Sequence, residues 1–175
     1  MPSGKTHDLI TLIILPPTFG AAWFLTQNPQ LAIAATAATA FSGFMFGPDL
    51  DTQSVQYTRW GVFRFLWLPY KVVFAHRSRW SHGIVFGTLF RVLYFSGVIA
   101  LLTLLALYGR AALITQASPS LLEIWHEWRA VQLVLFQSAD TLMLWAGFFG
   151  LWWGAASHTI TDVGWSMLRK GGEIF

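Results

Sequence analysis

Hydropathy along the chain rises in four blocks, Leu9–Leu25, Leu31–Phe46, Gly83–Tyr108 and Thr141–Ser157. A helix needs about 20 apolar residues to cross a hydrocarbon core of about 30 Å, so the first two blocks and the last depend on their flanks to span it. Pro16-Pro17 predicts a kink in the first. The second, with AIAATAATAFSG, is rich in the small residues that let helices approach closely in lipid. A two-span or re-entrant arrangement is the alternative for this first pair. Two other stretches mix apolar and polar positions. Tyr57–Phe74 (YTRWGVFRFLWLPYKVVF) interleaves aromatic and basic residues, and Leu121–Phe136 (LLEIWHEWRAVQLVLF) is amphipathic. Both predict segments lying at a membrane interface, with Trp60 and Trp67 as anchors of the first; nucleic-acid or anionic-lipid contact is the functional alternative there. The predicted fold is all-α: one membrane-embedded domain, residues 1–175, forming an integral membrane bundle of about four transmembrane helices with interfacial amphipathic segments.

Composition agrees. Of 175 residues, 55% are hydrophobic and 11% charged, where a soluble domain averages about a quarter charged. The absence of cysteine excludes disulfides, thiolate metal sites and cysteine nucleophiles. A formal net charge of only +3 argues against nucleic acid as a partner, despite the basic isoelectric point. The basic residues instead predict orientation. Lys5, then Arg59, Arg64, Lys71, Arg77 and Arg79, then Arg169 and Lys170 fall on one side of the predicted spans. Arg110 and Arg129 fall on the other, beside Glu123 and Glu127. Both termini and the middle loop are therefore expected to be cytoplasmic. The first apolar block reads as a retained helix and not as a signal peptide, because another apolar segment follows it directly.

This topology gathers metal-capable residues at the cytoplasmic helix ends. His7 and Asp8 precede the first span, Asp49 and Asp51 follow the second, His76 and His82 precede the third, and His158 and Asp162 end the fourth. Only His126, among five histidines, falls on the opposite side. Each part has an ordinary explanation. His158 and Asp162, at i and i+4, share a helix face and suit either two ligands of one ion or a helix-end salt bridge. Gly47-Pro48-Asp49 suits a turn. His7-Asp8 suits a helix cap, for which Thr6 would serve as well. His76 and His82 suit solvated loop histidines. Their joint occurrence on one face predicts a metal site. Imidazole and carboxylate donors restrict the ion to Zn²⁺, Mn²⁺, Fe²⁺ or Ni²⁺, with Zn²⁺ first. The surplus of ligands predicts two ions, or one ion with outer aspartates orienting the histidines.

The motifs PSGKTHD, FGPDLDTQSVQYTRWG, HRSRWSHG and SHTITD, in that order, cover nearly the whole chain. They resemble the YdjM-like family of membrane-bound, metal-dependent hydrolases, and more closely the related bacterial integral membrane proteins described as uncharacterised metal-binding proteins. The resemblance implies a bacterial inner or photosynthetic membrane. It also implies His7, Asp49, Asp51, His76, His82, His158 and Asp162 as metal ligands. A more distant likeness is to zinc-dependent phospholipase C, although the Glu-containing ligand helix of that enzyme is missing here.

The function expected is hydrolysis of a phosphoester or lipid at the cytoplasmic membrane face. The ion would polarise the phosphoryl oxygen and acidify a bound water. Asp8 or Asp51 would act as general base, and Arg77 or Arg91 would hold the anionic group. Arg91, well inside the third span, suits a structural partner of a buried aspartate better. The rival class is a non-enzymatic membrane subunit or assembly factor whose metal ties helix ends together. Partner membrane subunits are compatible with either.

Overall fold

The computed structural model describes residues 3–74, 78, 80–115 and 119–172, the side chains of Thr115 and of residues 169–172 excepted. Among them every regular element is helical. The chain forms α1 (Gly4–Thr26), α2 (Pro29–Met45), a 3-10 turn (Pro48–Asp51), α3 (Val55–Thr58), a 3-10 stretch (Gly61–Trp67), α4 (Leu68–Val73), α5 (Phe86–Thr115), α6 (Leu121–Ser138) and α7 (Thr141–Gly172).

Local signals account for the ends of the first pair. Ser3 caps α1, its hydroxyl accepting from the Thr6 amide at 3.2 Å, so neither Thr6 nor Asp8 is the cap. Asn28 caps α2 and Pro29 takes the first helical position, where its missing N–H costs nothing. Both prolines of Pro16-Pro17 lie inside α1.

Three stretches are long and apolar enough to cross a membrane: Gly4–Thr26, Pro29–Asp51 and Phe86–Ile114. The expected fourth, Thr141–Ser157, lies in α7 but reaches that threshold only when α6 and α7 are taken as one broken span. Its apolar run is interrupted by glycine and followed directly by the polar SHTITD.

The chain divides into two compact units. The first comprises residues 1–91 and 141–175, the second residues 92–140. The first is built on α2, which packs against both α1 and α7. Backbones meet there because the contact positions are small. A Cβ on Gly150 would strike the Ala35 carbonyl, and one on Gly154 would lie 2.5 Å from that of Thr39. Two side chains fasten the seam: the Thr39 hydroxyl donates to Gly150 O at 3.1 Å and that of Ser42 to Leu151 O at 2.7 Å. Between α2 and α5 the loop is rooted by buried Trp67 and Tyr70. In the second unit Trp128 donates to Ala100 O at 2.9 Å, and Arg110 pairs with Glu127 at 3.1 Å.

Candidate metal centre

His7 sits in the second turn of α1, where Thr11 braces it by donating its hydroxyl to the His7 carbonyl at 2.9 Å. His158 lies on α7, one turn beyond Gly154. The close α7–α2 contact at that glycine carries His158 inward. The two imidazoles stack with centroids 3.7 Å apart and planes inclined by 7°. Both are buried, 7% and 5% exposed.

Carboxylates surround them. His7 Nε2 is 3.3 Å from Asp162 Oδ1. His158 Nε2 is 3.3 Å from Asp49 Oδ2 and 3.7 Å from Asp162 Oδ2. Asp49 is presented by the Pro48–Asp51 turn, whose geometry Ser54 holds by donating to the Asp49 carbonyl at 2.8 Å. Its other oxygen lies 3.3 Å from His82 Nε2, while His82 Nδ1 faces Asp51 Oδ2 at 3.5 Å and the Ser81 hydroxyl at 3.1 Å. Six of the expected ligands, from His7 to Asp162, thus form one continuous chain of contacts.

The spacings are compatible with an ion site as well as with ion pairs. Charge-assisted N–H···O⁻ bonds settle at about 2.7–2.9 Å. Here the pairs stand further apart, and His158 Nε2 and Asp162 Oδ1, both fully buried, make no hydrogen bond despite their neighbours. A tetrahedral ion with bonds of about 2.0–2.1 Å separates its ligand atoms by roughly 3.3–3.4 Å. Within the group His7–His158–Asp162 the contacts measure 3.3 Å for His7–Asp162 and 3.7 Å for His158–Asp162. The ligand atoms of His7, His158 and Asp162 all fall within 4.8 Å of one another. Two imidazoles and one or two carboxylates are a donor set that fits a divalent cation.

Other expected residues take different places. Asp8 is bound by Arg59, whose Nη1 and Nη2 donate to its two oxygens at 2.8 and 2.5 Å. This pairing raises the Arg59 guanidinium further above its ordinary value. Asp8, expected as a general base, therefore stands in an ion pair with Arg59 at the cavity wall. Asp51, expected as ligand or base, has a fully buried side chain 3.5 Å from His82 Nδ1. Arg91 does not reach out to an anion: it is 1% exposed, donating to Ser81 O at 2.7 Å and to the Thr88 hydroxyl at 3.2 Å. It therefore holds the turn that presents His82. Burial raises the neighbouring Tyr70 hydroxyl, and Arg91 opposes that rise. His76 and Arg77 lie outside the described residues. His126 is exposed on α6, in the other compact unit.

Two participants were not singled out as site residues, although both fall within the motif FGPDLDTQSVQYTRWG. Gln56 is buried, donates to Gly43 O at 2.7 Å and approaches His158 Nδ1 at 3.5 Å. Arg59 looked like one more topological cation. Both line a cavity of about 260 Å³ whose wall also includes His7, Asp49, Ser54 and His158.

Fold and site together define an all-α protein with a buried histidine–aspartate cluster in which His7, His158 and Asp162 could hold a metal ion. Residues 2–171 match the family model described as "Uncharacterized metal-binding protein (DUF2227)", and the chain belongs to that family. No curated protein and no solved structure matches it.

Proposed function

We propose that this chain is an integral membrane protein that binds a divalent cation, Zn²⁺ first, through His7, His158 and Asp162 with Asp49, and hydrolyses a phosphoester at the cytoplasmic membrane face. The observation that carries the catalytic part is the cavity. It reaches His7, Asp49 and His158 from one side, so the ligand cluster is not sealed on all sides as a purely structural site would be. The likeness of its motifs to the YdjM-like hydrolases supports the same reaction class, and three apolar helices support membrane insertion.

A divalent ion bound there supplies Lewis-acid polarisation of a phosphoryl oxygen. The chain's own residues do the rest. Asp49 orients His158 and His82 together, Gln56 backs His158, and Asp51 with Ser81 orients His82. Arg59 stands at the cavity wall with a guanidinium suited to phosphate oxygens, held by Asp8 until an anion competes for it.

Elemental analysis of detergent-purified protein, followed by a panel of phosphomonoesters and phosphodiesters, tests both halves. Stoichiometric metal with metal-dependent turnover is expected. Stoichiometric metal without turnover on any ester leaves a structural metal site and removes the hydrolase. Metal-free wild type, unable to take up Zn²⁺ or Mn²⁺, removes both.

A further inference from the structure

The segment Gly61–Val73, running from the 3-10 stretch into α4, has an unusual division of faces. One side roots it in the protein: Trp67 and Tyr70 are fully buried, with Trp67 packed edge-on against Phe46 at 5.4 Å, Trp60 at 5.2 Å and Tyr70 at 5.7 Å. The other side is equally apolar yet uncovered. Val62 is 80% exposed, Phe63 59%, Phe65 55%, Leu68 50%, Val72 86% and Val73 72%. An apolar patch of this extent on a segment so firmly anchored marks a surface meant to be covered.

Charge selects the cover. Between Thr52 and Val85 the sequence carries five Lys or Arg and no Asp or Glu. Arg64 is exposed among the apolar side chains, and Lys71 is half-buried with its ammonium 4.2 Å from the Tyr57 ring. Large apolar side chains with interspersed cations and aromatic anchors match the boundary between acyl chains and anionic headgroups.

We infer that Gly61–Val73 is a membrane-interface wedge that beds in anionic phospholipid. The inference rests on the membrane reading above and adds where the site stands. Arg59 lies two residues before the wedge and lines the metal-site cavity, and Trp60 ties the junction down by donating to Met45 O at 2.8 Å. Bedding the wedge therefore holds the cavity at headgroup level. The substrates it meets are phosphates carried in that layer.

The absence of native cysteine makes the test direct. Single variants Val62→Cys, Phe65→Cys and Val72→Cys of the full chain are spin-labelled and reconstituted in phosphatidylcholine nanodiscs with or without phosphatidylglycerol. Accessibility to oxygen and to a water-soluble nickel chelate is then compared. Leu101→Cys on α5 serves as the span control and Lys5→Cys as the aqueous one. Oxygen-favoured accessibility is expected at all three wedge positions, with a several-fold rise in nickel access when phosphatidylglycerol is left out. Metal content of each variant, equal to wild type, certifies folding. Water-like labels at the wedge beside an oxygen-favoured Leu101→Cys overturn the wedge while leaving the membrane reading intact. Labels reached by neither probe show a protein cover and also overturn it. Equal depth in neutral lipid overturns the anionic assignment. A water-like Leu101→Cys brings down the membrane reading itself, and the wedge with it.

Discussion

His7 and His158 come from opposite ends of the chain and stack ring on ring at 3.7 Å. Each turns an Nε2 toward a carboxylate oxygen 3.3 Å away. The contact closes α1 onto α7 beyond the small-residue seam of α2, and it places two imidazole donors within reach of one ion. His7→Ala and His158→Ala should each abolish stoichiometric metal, read by elemental analysis. The double variant should look like either single one, because ligands of a shared ion are not additive. Additive, partial losses would mean two independent weak sites.

Arg91 should act on metal binding without touching the ion. Arg91→Gln removes the charged donor from the Ser81 carbonyl, a buried polar loss of about 1–3 kcal/mol, and releases the turn before His82. A fall of roughly 10–100-fold in metal affinity is expected, the range for groups that orient ligands. Gly87→Ala offers an independent check. Its Cβ would lie 2.6 Å from the Ser81 carbonyl oxygen, so the same turn must shift. Titration with a competing chelator measures both, and unchanged affinity in both variants would detach this turn from the site.

Asp8 and Arg59 should prove separable from metal binding. The pair is partly exposed, and such pairs contribute about 0–1 kcal/mol. Asp8→Asn should therefore keep both fold and metal content. Arg59→Gln should do the same while raising KM for an anionic ester, since the guanidinium lines the cavity. Loss of metal in Asp8→Asn would add that residue to the ligand set.

His126→Ala should retain full metal content, as expected of an exposed residue in the other compact unit. A loss matching that of His158→Ala, in the same elemental analysis, would show that α6 contributes to the site.

Orientation follows from the positive-inside bias. Reporter fusions after Phe74 and after Lys170 should report the cytoplasm, and a fusion near Pro119 the opposite side. A cytoplasmic signal at Pro119 would mean that α5 does not cross the membrane as a single span.

Much of the architecture is written in local chemistry, which a sequence carries openly. Hydropathy blocks mark α1, α2, α5 and the apolar half of α7, because an apolar run predicts burial or lipid whatever its partners. The i, i+4 spacing of His158 and Asp162 sets both on one side of α7, and the alternation of helices predicts that distant His and Asp residues share a layer. What hydropathy could not supply was which of them meet, since that depends on packing between elements. Asp8 is one residue from His7, yet helical geometry turns it toward Arg59, fifty-one residues away. Arg91 is within electrostatic reach of Asp51 and Asp49, as expected of a partner of buried aspartates, but its hydrogen bonds to the Ser81 carbonyl and the Thr88 hydroxyl depend on packing. Gln56, inside the motif FGPDLDTQSVQYTRWG, was not marked as a site residue, being one polar residue in a polar loop until the fold buried it against His158. Residue types and helix periodicity determined the donors and the layer. The approach of α2 to α7 through Gly150 and Gly154 decided the distances, because backbone separation sets which side chains can reach one ion.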